Sequence, residues 1–517
     1  MINITIDGKK LEIEPGKTIL DAARNAGIEI PTMCFLDGHR AETSCMVCVV
    51  KVDGKPRLVP SCATRVRDGM VVESETEEVR TARRTAIELL LSDHVGDCVG
   101  PCQSGCPAHM DIPAMLSMIS ERRFHEALIL VKQHIALPAI LGRICPEICE
   151  HGCRRQALDS PISICLLKRF VADLDLASKR PYLPEKRPSS GKTVGIIGAG
   201  PAGLAAAYYL QQQGHQCVLH DDHPEPGGIL RYAIEAERLP HSVIDAEVAL
   251  IRELGAEFRM GKRVEFGRIQ GEFDATLIAT GQIDAATAES FGLQSTPHGL
   301  KTDRASMMTS VSGVFAAGSV IAHTQHAVRS VSEGRSAATA ITRFLAGDPP
   351  IAKRNPYSVH IGKLMEGELA LLKGDANSRP RIVHGESGLT EEQAVAESER
   401  CFHCECGKLH NCKLRDYAAE YQANQTRFKH ERERIRIITD HPLVTYEPGK
   451  CISCGLCVQL TERSNEPLGL AFMGRGFAVR PGVPFGERME KALEKVAIEC
   501  VNACPTGALS AKRNAKL

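Results

Sequence analysis

The sequence contains no tryptophan, and aromatic residues make up only 4% of it. Proteins that hold single-stranded nucleic acid stack bases on aromatic rings, so the composition argues against that class. An excess of either charge is also missing: Lys+Arg and Asp+Glu both total 63. A zero balance offers no field for nucleic acid or an anionic membrane. Long hydrophobic runs are absent too. No stretch approaches the roughly 20 apolar residues that cross a bilayer as a helix. The opening MINITIDGKKLEIEPG alternates as a strand does, and it has neither the basic nor the apolar region of a secretory signal. A cytoplasmic location is expected, with no membrane insertion.

What the chain has in quantity is cysteine, 21 in 517 residues. In a reducing compartment, dense cysteine means metal or catalysis rather than disulfides. Nearly all of these cysteines recur in tight local groups. Thiolate sulfur is the preferred ligand of iron–sulfur clusters. The length corresponds to about three to five domains.

Residues 1–75 open with Ile2, Ile4 and Ile6, a turn at Asp7-Gly8, then Leu11 and Ile13, a β-hairpin pattern. A short helix is predicted over 18–26. Cys34, Cys45, Cys48 and Cys62 follow as C-x10-C-x2-C-x13-C. A zinc knot also takes four thiolates. The segment resembles the N-terminal [2Fe–2S] domain of the large iron–sulfur subunit of complex I and of iron-only hydrogenases. The resemblance implies a β-grasp ferredoxin fold and one [2Fe–2S] cluster.

Residues 76–185 begin with RRTAIELLLSDHVGDC, apolar at helical spacing and ending at His94 and Cys98. This stretch again resembles the complex I subunit, where a histidine at H-x3-C ligates a [4Fe–4S] cluster. Cys102, Cys106-Pro107, Cys145-Pro146, Cys149 and Cys153 resemble the helical two-cluster domain of the glutamate synthase small subunit and of dihydropyrimidine dehydrogenase. That resemblance implies two interleaved [4Fe–4S] clusters. One would take His94, Cys98, Cys102 and Cys153, and the other Cys106, Cys145, Cys149 and a fourth ligand. The family's fourth ligand, a Gln or Glu, aligns with Lys168, whose ammonium has no lone pair. Cys165, one turn earlier, is the expected substitute. The competing reading of His94 is an ordinary polar residue at a helix end.

Residues 190–347 carry TVGIIGAGPAGLAAAYYL, a strand, a glycine turn and a helix. In its G-x-G-x-x-G, Gly198 makes the turn, Gly200 admits a pyrophosphate, and Gly203 lets helix pack on strand. Pro201 and Ala202 open the helix whose N-terminus faces the phosphates. Asp221, ending the next strand, stands where an acidic residue grips the adenosine ribose. The stretches Pro226-Gly227-Gly228-Ile229-Leu230, Ala279-Thr280-Gly281 and Gly313 to Gly318 resemble the flavin site of the glutamate synthase small subunit. Gly227, Gly228, Leu230, Thr280, Gly281, Gly318 and Ser319 are thereby implied in FAD binding. That family inserts an NADPH domain between the last two stretches. Here only about 30 residues separate them, with no second glycine fingerprint, so no NAD(P)H site of the usual kind is expected. Ser319 replaces the family's ribitol-binding Asp. An empty Rossmann scaffold is the competing reading.

Residues 350–440 start with a polar stretch to about 392, expected as a linker. A short helix then leads into Cys401, Cys404, Cys406 and Cys412, a C-x2-C-x-C-x5-C group. These suit another [4Fe–4S] cluster, with zinc as competitor. Residues 441–517 carry Cys451, Cys454 and Cys457, then Cys500 and Cys504-Pro505. They resemble a bacterial-type ferredoxin domain in which Cys451, Cys454, Cys457 and Cys504 hold one [4Fe–4S] cluster. Thr461, Glu494 and Ala497 occupy the positions a second cluster would need, so Cys500 is left over. Cys217 is expected as a buried structural thiol.

The expected fold class is thus multidomain α/β and α+β: a β-grasp ferredoxin, a helical two-cluster domain, a truncated Rossmann FAD domain and a C-terminal ferredoxin-like domain. One [2Fe–2S], three to four [4Fe–4S] clusters and FAD are expected. No catalytic base, nucleophile or substrate pocket stands out. The inventory points to an electron-transfer subunit of a multi-subunit oxidoreductase. Its partners would be a formate dehydrogenase or hydrogenase catalytic subunit, an NADH-oxidising flavin subunit, or ferredoxin. Two other readings remain open: an autonomous NAD(P)H-dependent reductase, and a scaffold whose flavin pocket is empty.

Overall fold

The computed structural model describes residues 1–264, 266–269, 271–323, 326–352, 356–374, 376–382 and 388–512. Two compact units divide the chain. The first comprises residues 1–99, 356–374 and 404–517, and the second comprises 100–355 and 375–403. Unit 2 is therefore carried by two insertions in the sequence of unit 1.

Unit 1 begins as a β-grasp. Its sheet runs in the order Lys9–Ile13, Ile2–Ile6, Met70–Glu73, Val49–Val52, Val59–Pro60. Asp7 and Gly8 both adopt positive φ, 48° and 80°, as a tight hairpin turn requires. The alternation then places Ile4, Ile6 and Ile13 in the core. Ile2–Ile6 runs parallel to Met70–Glu73, so the chain must cross over, and the helix Ile19–Asn25 lies on that crossover. Thr18 and Asp21 cap the helix reciprocally, satisfying two backbone donors left free at its start. The long helix Glu77–Ser92 follows. Its Arg83 is fully buried, and its guanidinium donates to the Val49 carbonyl at 3.1 and 3.0 Å and to the Tyr421 hydroxyl at 3.0 Å. The C-terminal part pairs Val444–Tyr446 with Leu509–Ala511 and packs Leu456–Arg463 on Ala497–Ala503.

The stretch expected as a linker, 350–392, contains a helix of unit 1, Glu368–Lys373. Residues 353–355, 375 and 383–387 of that stretch lie outside the described residues. Glu368 is buried and accepts from Arg432 at 2.7 and 2.6 Å and from the backbone N–H groups of Ile435 and Met365 at 2.8 and 2.7 Å. The Arg432 guanidinium, followed by those N–H groups, holds its carboxyl down at about 2. A depressed acid stabilises the fold above its unfolded pKa near 4.5, and that contribution is lost as pH falls toward 2. Glu368→Gln breaks a buried charge pair and is expected to cost about 3 kcal/mol at neutral pH. Denaturant melts should show that cost shrinking below pH 4. An unchanged midpoint at neutral pH would contradict it.

Unit 2 opens with helices Ile112–Ser120, Phe124–His134, Pro138–Ile144 and Ile164–Leu176. A five-stranded parallel sheet follows, in the order Val314–Ala316, Ala275–Ile278, Thr193–Ile197, Gln216–His220, Glu257–Arg259. Thr193–Ile197 is central and buried along most of its length. The helices Pro201–Gln212 and Ala327–Leu345 pack closely. They can do so because a Cβ on Gly334 would lie 2.3 Å from the Ala202 carbonyl oxygen.

Candidate metal centres and dinucleotide site

Unit 1 gathers three groups of thiols. The first is Cys34, Cys45, Cys48 and Cys62, all buried. Cys48 Sγ and Cys62 Sγ are 3.4 Å apart, too far for the ~2.0 Å bond of a disulfide. Hydrogen bonding from Cys45 draws the Cys34 thiol down to about 5, and from Cys62 draws Cys48 down to about 7. Four buried thiols that meet in pairs, Cys34 with Cys45 and Cys48 with Cys62, are a donor set for metal.

The second group is Cys451, Cys454, Cys457 and Cys504, which line one cavity with Tyr446, Leu456 and Pro505. The loop before the helix Leu456–Arg463 delivers Cys451 and Cys454, the first turn of that helix delivers Cys457, and the end of the helix Ala497–Ala503 delivers Cys504. Cys500 is turned aside: its thiol faces the Cys457 carbonyl at 3.9 Å.

The third group crosses the expected boundaries. Cys406 donates its backbone N–H to the Cys98 carbonyl at 3.0 Å. Burial, with the charges on Cys406 and Cys98 adding to it, pushes the Cys412 thiol up to about 12. Cys98, expected beside Cys102 and Cys153, is thus brought together with Cys406 and Cys412, expected beside Cys401. The Cys98 loop is held in place by Val359, whose carbonyl accepts the Cys98 N–H at 3.2 Å. His94, four residues before Cys98, has a buried Nδ1 with no hydrogen-bond partner among the described residues. Burial, and then the charge of Lys450, holds its imidazole down at about 3. An imidazole kept neutral with an unused nitrogen is ready to ligate a metal.

Lys450 was not foreseen as part of any site. It is buried, and it ion-pairs with Glu447 at 2.6 Å. Burial opposes its charge, but Glu447, Cys406 and Cys98 together hold it protonated. No spacing rule marks it, since it precedes Cys451 as an ordinary loop residue.

Unit 2 assembles Cys106, Cys145, Cys149 and Cys165 around the buried Lys168. Burial works against the lysine's charge, and the four thiols outweigh it. Cys165 shares side-chain hydrogen bonds with Cys145 and Cys149, so the substitute expected for the missing fourth ligand lies among the other three. Its backbone N–H donates to Glu150 at 2.9 Å, and Arg381 holds Glu150 at 2.6 Å.

Cys102, Cys153 and Cys401 flank the same core of unit 2. A Cβ on Gly152 would lie 3.2 Å from the Pro101 carbonyl, so the Cys102 and Cys153 stretches touch. Arg155 donates to the Arg400 carbonyl at 2.6 Å and lies over the Phe402 ring, which brings the Cys401 stretch to the same place. Cys404 opens the returning segment of unit 1. Cys217 is fully buried in a strand.

The glycine turn has the form a dinucleotide needs. Gly198 takes φ 109°, and its Cβ would lie 2.3 Å from the Ala279 carbonyl. A Cβ on Gly203 would lie 1.9 Å from the Gly198 carbonyl. At Gly200 the nearest atom is Gly228 Cα at 3.9 Å, which leaves open the approach to the N-terminus of the helix starting at Pro201. Asp221 sits at the strand end and accepts the Ala199 N–H at 2.7 Å, while its other oxygen meets His223 Nδ1 at 2.9 Å. Gly227 donates to the Ala199 carbonyl at 2.9 Å, which ties the Pro226–Leu230 loop to the turn. Thr280 and Gly281 follow the end of the strand Ala275–Ile278, Thr280 exposed and Gly281 half-buried. Gly318 donates its N–H to Glu333 at 2.9 Å, with Ser319 next to it. Glu333 was missed, because nothing in the sequence connects it with Gly318 until the helix Ala327–Leu345 packs back.

Three segments of the chain match known domain families. Residues 1–77 match the 2Fe-2S iron-sulfur cluster binding domain, and residues 77–180 match dihydropyrimidine dehydrogenase domain II, 4Fe-4S cluster. Residues 196–250 match the NAD(P)-binding Rossmann-like domain. The NADPH-Fe(3+) oxidoreductase subunit beta of Geobacter sulfurreducens is 36% identical over 187 residues, 35% of this chain and 28% of that protein. The NADP(+)-dependent formate dehydrogenase subunit beta of Moorella thermoacetica is 38% identical over 206 residues, 35% of this chain and 29% of that protein. The NAD-dependent dihydropyrimidine dehydrogenase subunit PreT homolog of Salmonella typhi is 36% identical over 187 residues, 35% of this chain and 45% of that protein. The chain therefore spans less than half the length of these relatives. Among the described residues no single helix is long and apolar enough to cross a membrane. The chain thus joins, in one polypeptide, segments that match a 2Fe-2S domain, a dihydropyrimidine dehydrogenase-type 4Fe-4S domain and a Rossmann-like domain.

Proposed function

We propose that this chain is an electron-transfer subunit of a multi-subunit oxidoreductase. The observation that carries the reading is one apolar cluster in unit 1. Met33, Cys34, Cys45, Cys98, Cys412, Cys454 and Leu456 all belong to it, each buried. Cysteines of three separate groups thus share one buried apolar core. Iron–sulfur clusters bound there would supply one-electron chemistry. The chain's own part is to hold the thiols convergent, keep water out, and place neighbouring groups against one packed interior. Low dielectric and a fixed shell keep reorganisation small.

The ligand sets we assign are Cys34, Cys45, Cys48 and Cys62 for the [2Fe–2S] centre and Cys451, Cys454, Cys457 and Cys504 for the C-terminal [4Fe–4S] centre. His94, Cys98, Cys406 and Cys412 would hold a third, and Cys106, Cys145, Cys149 and Cys165 a fourth. Cys102, Cys153 and Cys401 contribute three thiolates to a fifth. The Rossmann cradle of unit 2 would take FAD, with its pyrophosphate at Gly200. Relatives named as beta subunits of an NADPH-Fe(3+) oxidoreductase and a formate dehydrogenase support partner redox subunits of that kind.

Anaerobically purified protein should hold about 18 irons per chain, two plus four fours, together with bound flavin. Iron assay and reductive titration followed by EPR check this. Iron-free protein that still passes electrons to its native assembly would remove the reading. A second reading, a reductase that takes hydride from NAD(P)H itself, is favoured by the NAD(P)-binding description of the match over residues 196–250. Rapid reduction of the isolated chain by NADPH would select it.

A further inference from the structure

Gly507 stands between two of the thiol groups of unit 1. A Cβ built on it would lie 2.1 Å from Cys406 Sγ, while its other neighbours, Lys450 Cδ at 3.7 Å and Lys408 Cβ at 3.8 Å, are at ordinary contact. The three residues before it belong to the C-terminal group: Cys504 is one of its thiols, and Pro505 and Thr506 line its cavity. This segment is fixed on both sides. Thr506, buried, donates its hydroxyl to the Lys450 carbonyl at 2.8 Å. Lys408, two residues after Cys406, donates to the Val501 carbonyl at 2.7 Å and also to the carbonyl of Cys504. Pro505 accepts from the backbone N–H of Leu414, two residues after Cys412, at 3.4 Å.

We propose that Gly507 is a positioning residue: its missing side chain seats Cys406 Sγ and makes Pro505-Thr506-Gly507 a direct bridge between the C-terminal thiol group and the Cys98, Cys406 and Cys412 group. The inference rests on the ligand assignment above. It adds that the two groups are sterically coupled through one residue. Gly507 does not appear among the glycines of positive φ, so alanine there meets no backbone penalty. Its whole effect comes from the sulfur it displaces.

The test is EPR and iron analysis of the full chain carrying Gly507→Ala. The expected result is loss of about four irons and of the same [4Fe–4S] signal that Cys406→Ala removes, with the C-terminal signal retained and narrowed by loss of its magnetic neighbour. Full iron with unchanged spectra would overturn the proposal. So would loss of the C-terminal signal as well, which would make the segment a mere fold element. If the parent chain lacks the Cys406-dependent signal altogether, the ligand assignment has failed. The steric claim is then still tested by melting. Gly507→Ala should lower the midpoint in the parent and leave it unchanged in the Cys406→Ala background, since neighbouring substitutions that share a contact are not additive. An equal drop in both backgrounds would overturn the coupling.

Discussion

Alanine at Cys406 is expected to abolish the same [4Fe–4S] signal as alanine at Cys98 or Cys412, each at a loss of about four irons per chain. Alanine at Cys401 should abolish a different one, shared with Cys102 and Cys153. The argument is geometric. Cys406 and Cys98 are hydrogen-bonded through their backbones at 3.0 Å, and Cys98 and Cys412 lie in one apolar cluster. Cys401, five residues earlier, packs on the core of the other unit. A chain of single substitutions scored by EPR and iron content decides the grouping. If Cys401 and Cys406 remove one common signal and Cys98 leaves it intact, the local C-x2-C-x-C-x5-C group is a single cage and the assignment fails. His94→Cys belongs to the same series. Replacing a neutral ligand with a thiolate adds negative charge, so the signal should persist at a lower potential. An unmoved potential would take His94 off the ligand set.

The second large effect is a contrast between two glycines of one turn. Gly203→Val should empty the dinucleotide cradle and also lower stability by roughly 1–3 kcal/mol, because its Cβ would meet the Gly198 carbonyl at 1.9 Å. Gly200→Val has no such neighbour, the nearest atom being Gly228 Cα at 3.9 Å. It should therefore keep its melting midpoint and still lose bound flavin, since its side chain enters the space left for the pyrophosphate. Flavin released by acid from each purified variant, set beside its melting curve, separates the two. Retention of stoichiometric flavin by Gly200→Val would place the ligand elsewhere or nowhere in this turn.

Much of the molecule could be read from residues close together in the chain. The hairpin at Asp7-Gly8 follows from two-residue alternation and a turn that tolerates positive φ. The glycine turn at 198–203 follows from the contacts a side chain there would violate. Cys45 with Cys48, and Cys451 with Cys454 and Cys457, fall into common groups because a loop of two residues cannot carry their sulfurs far apart. Cys165 could be chosen over Lys168 on chemistry alone, since one has a lone pair to give and the other does not.

The sequence by itself determined the thiol chemistry, the short-range ligand spacings and the Rossmann turn, because each depends on atoms within a few residues of one another. Only the tertiary structure decided which long-range partners meet. Cys98 and Cys406 are separated by all of unit 2 along the chain, and the spacing C-x2-C-x-C-x5-C gives no sign that Cys406 and Cys412 pack with Cys98. Lys450, Glu333 and Gly507 were invisible for the same reason: a contact made when distant segments pack leaves no local period, and it becomes legible only as distance, burial and charge.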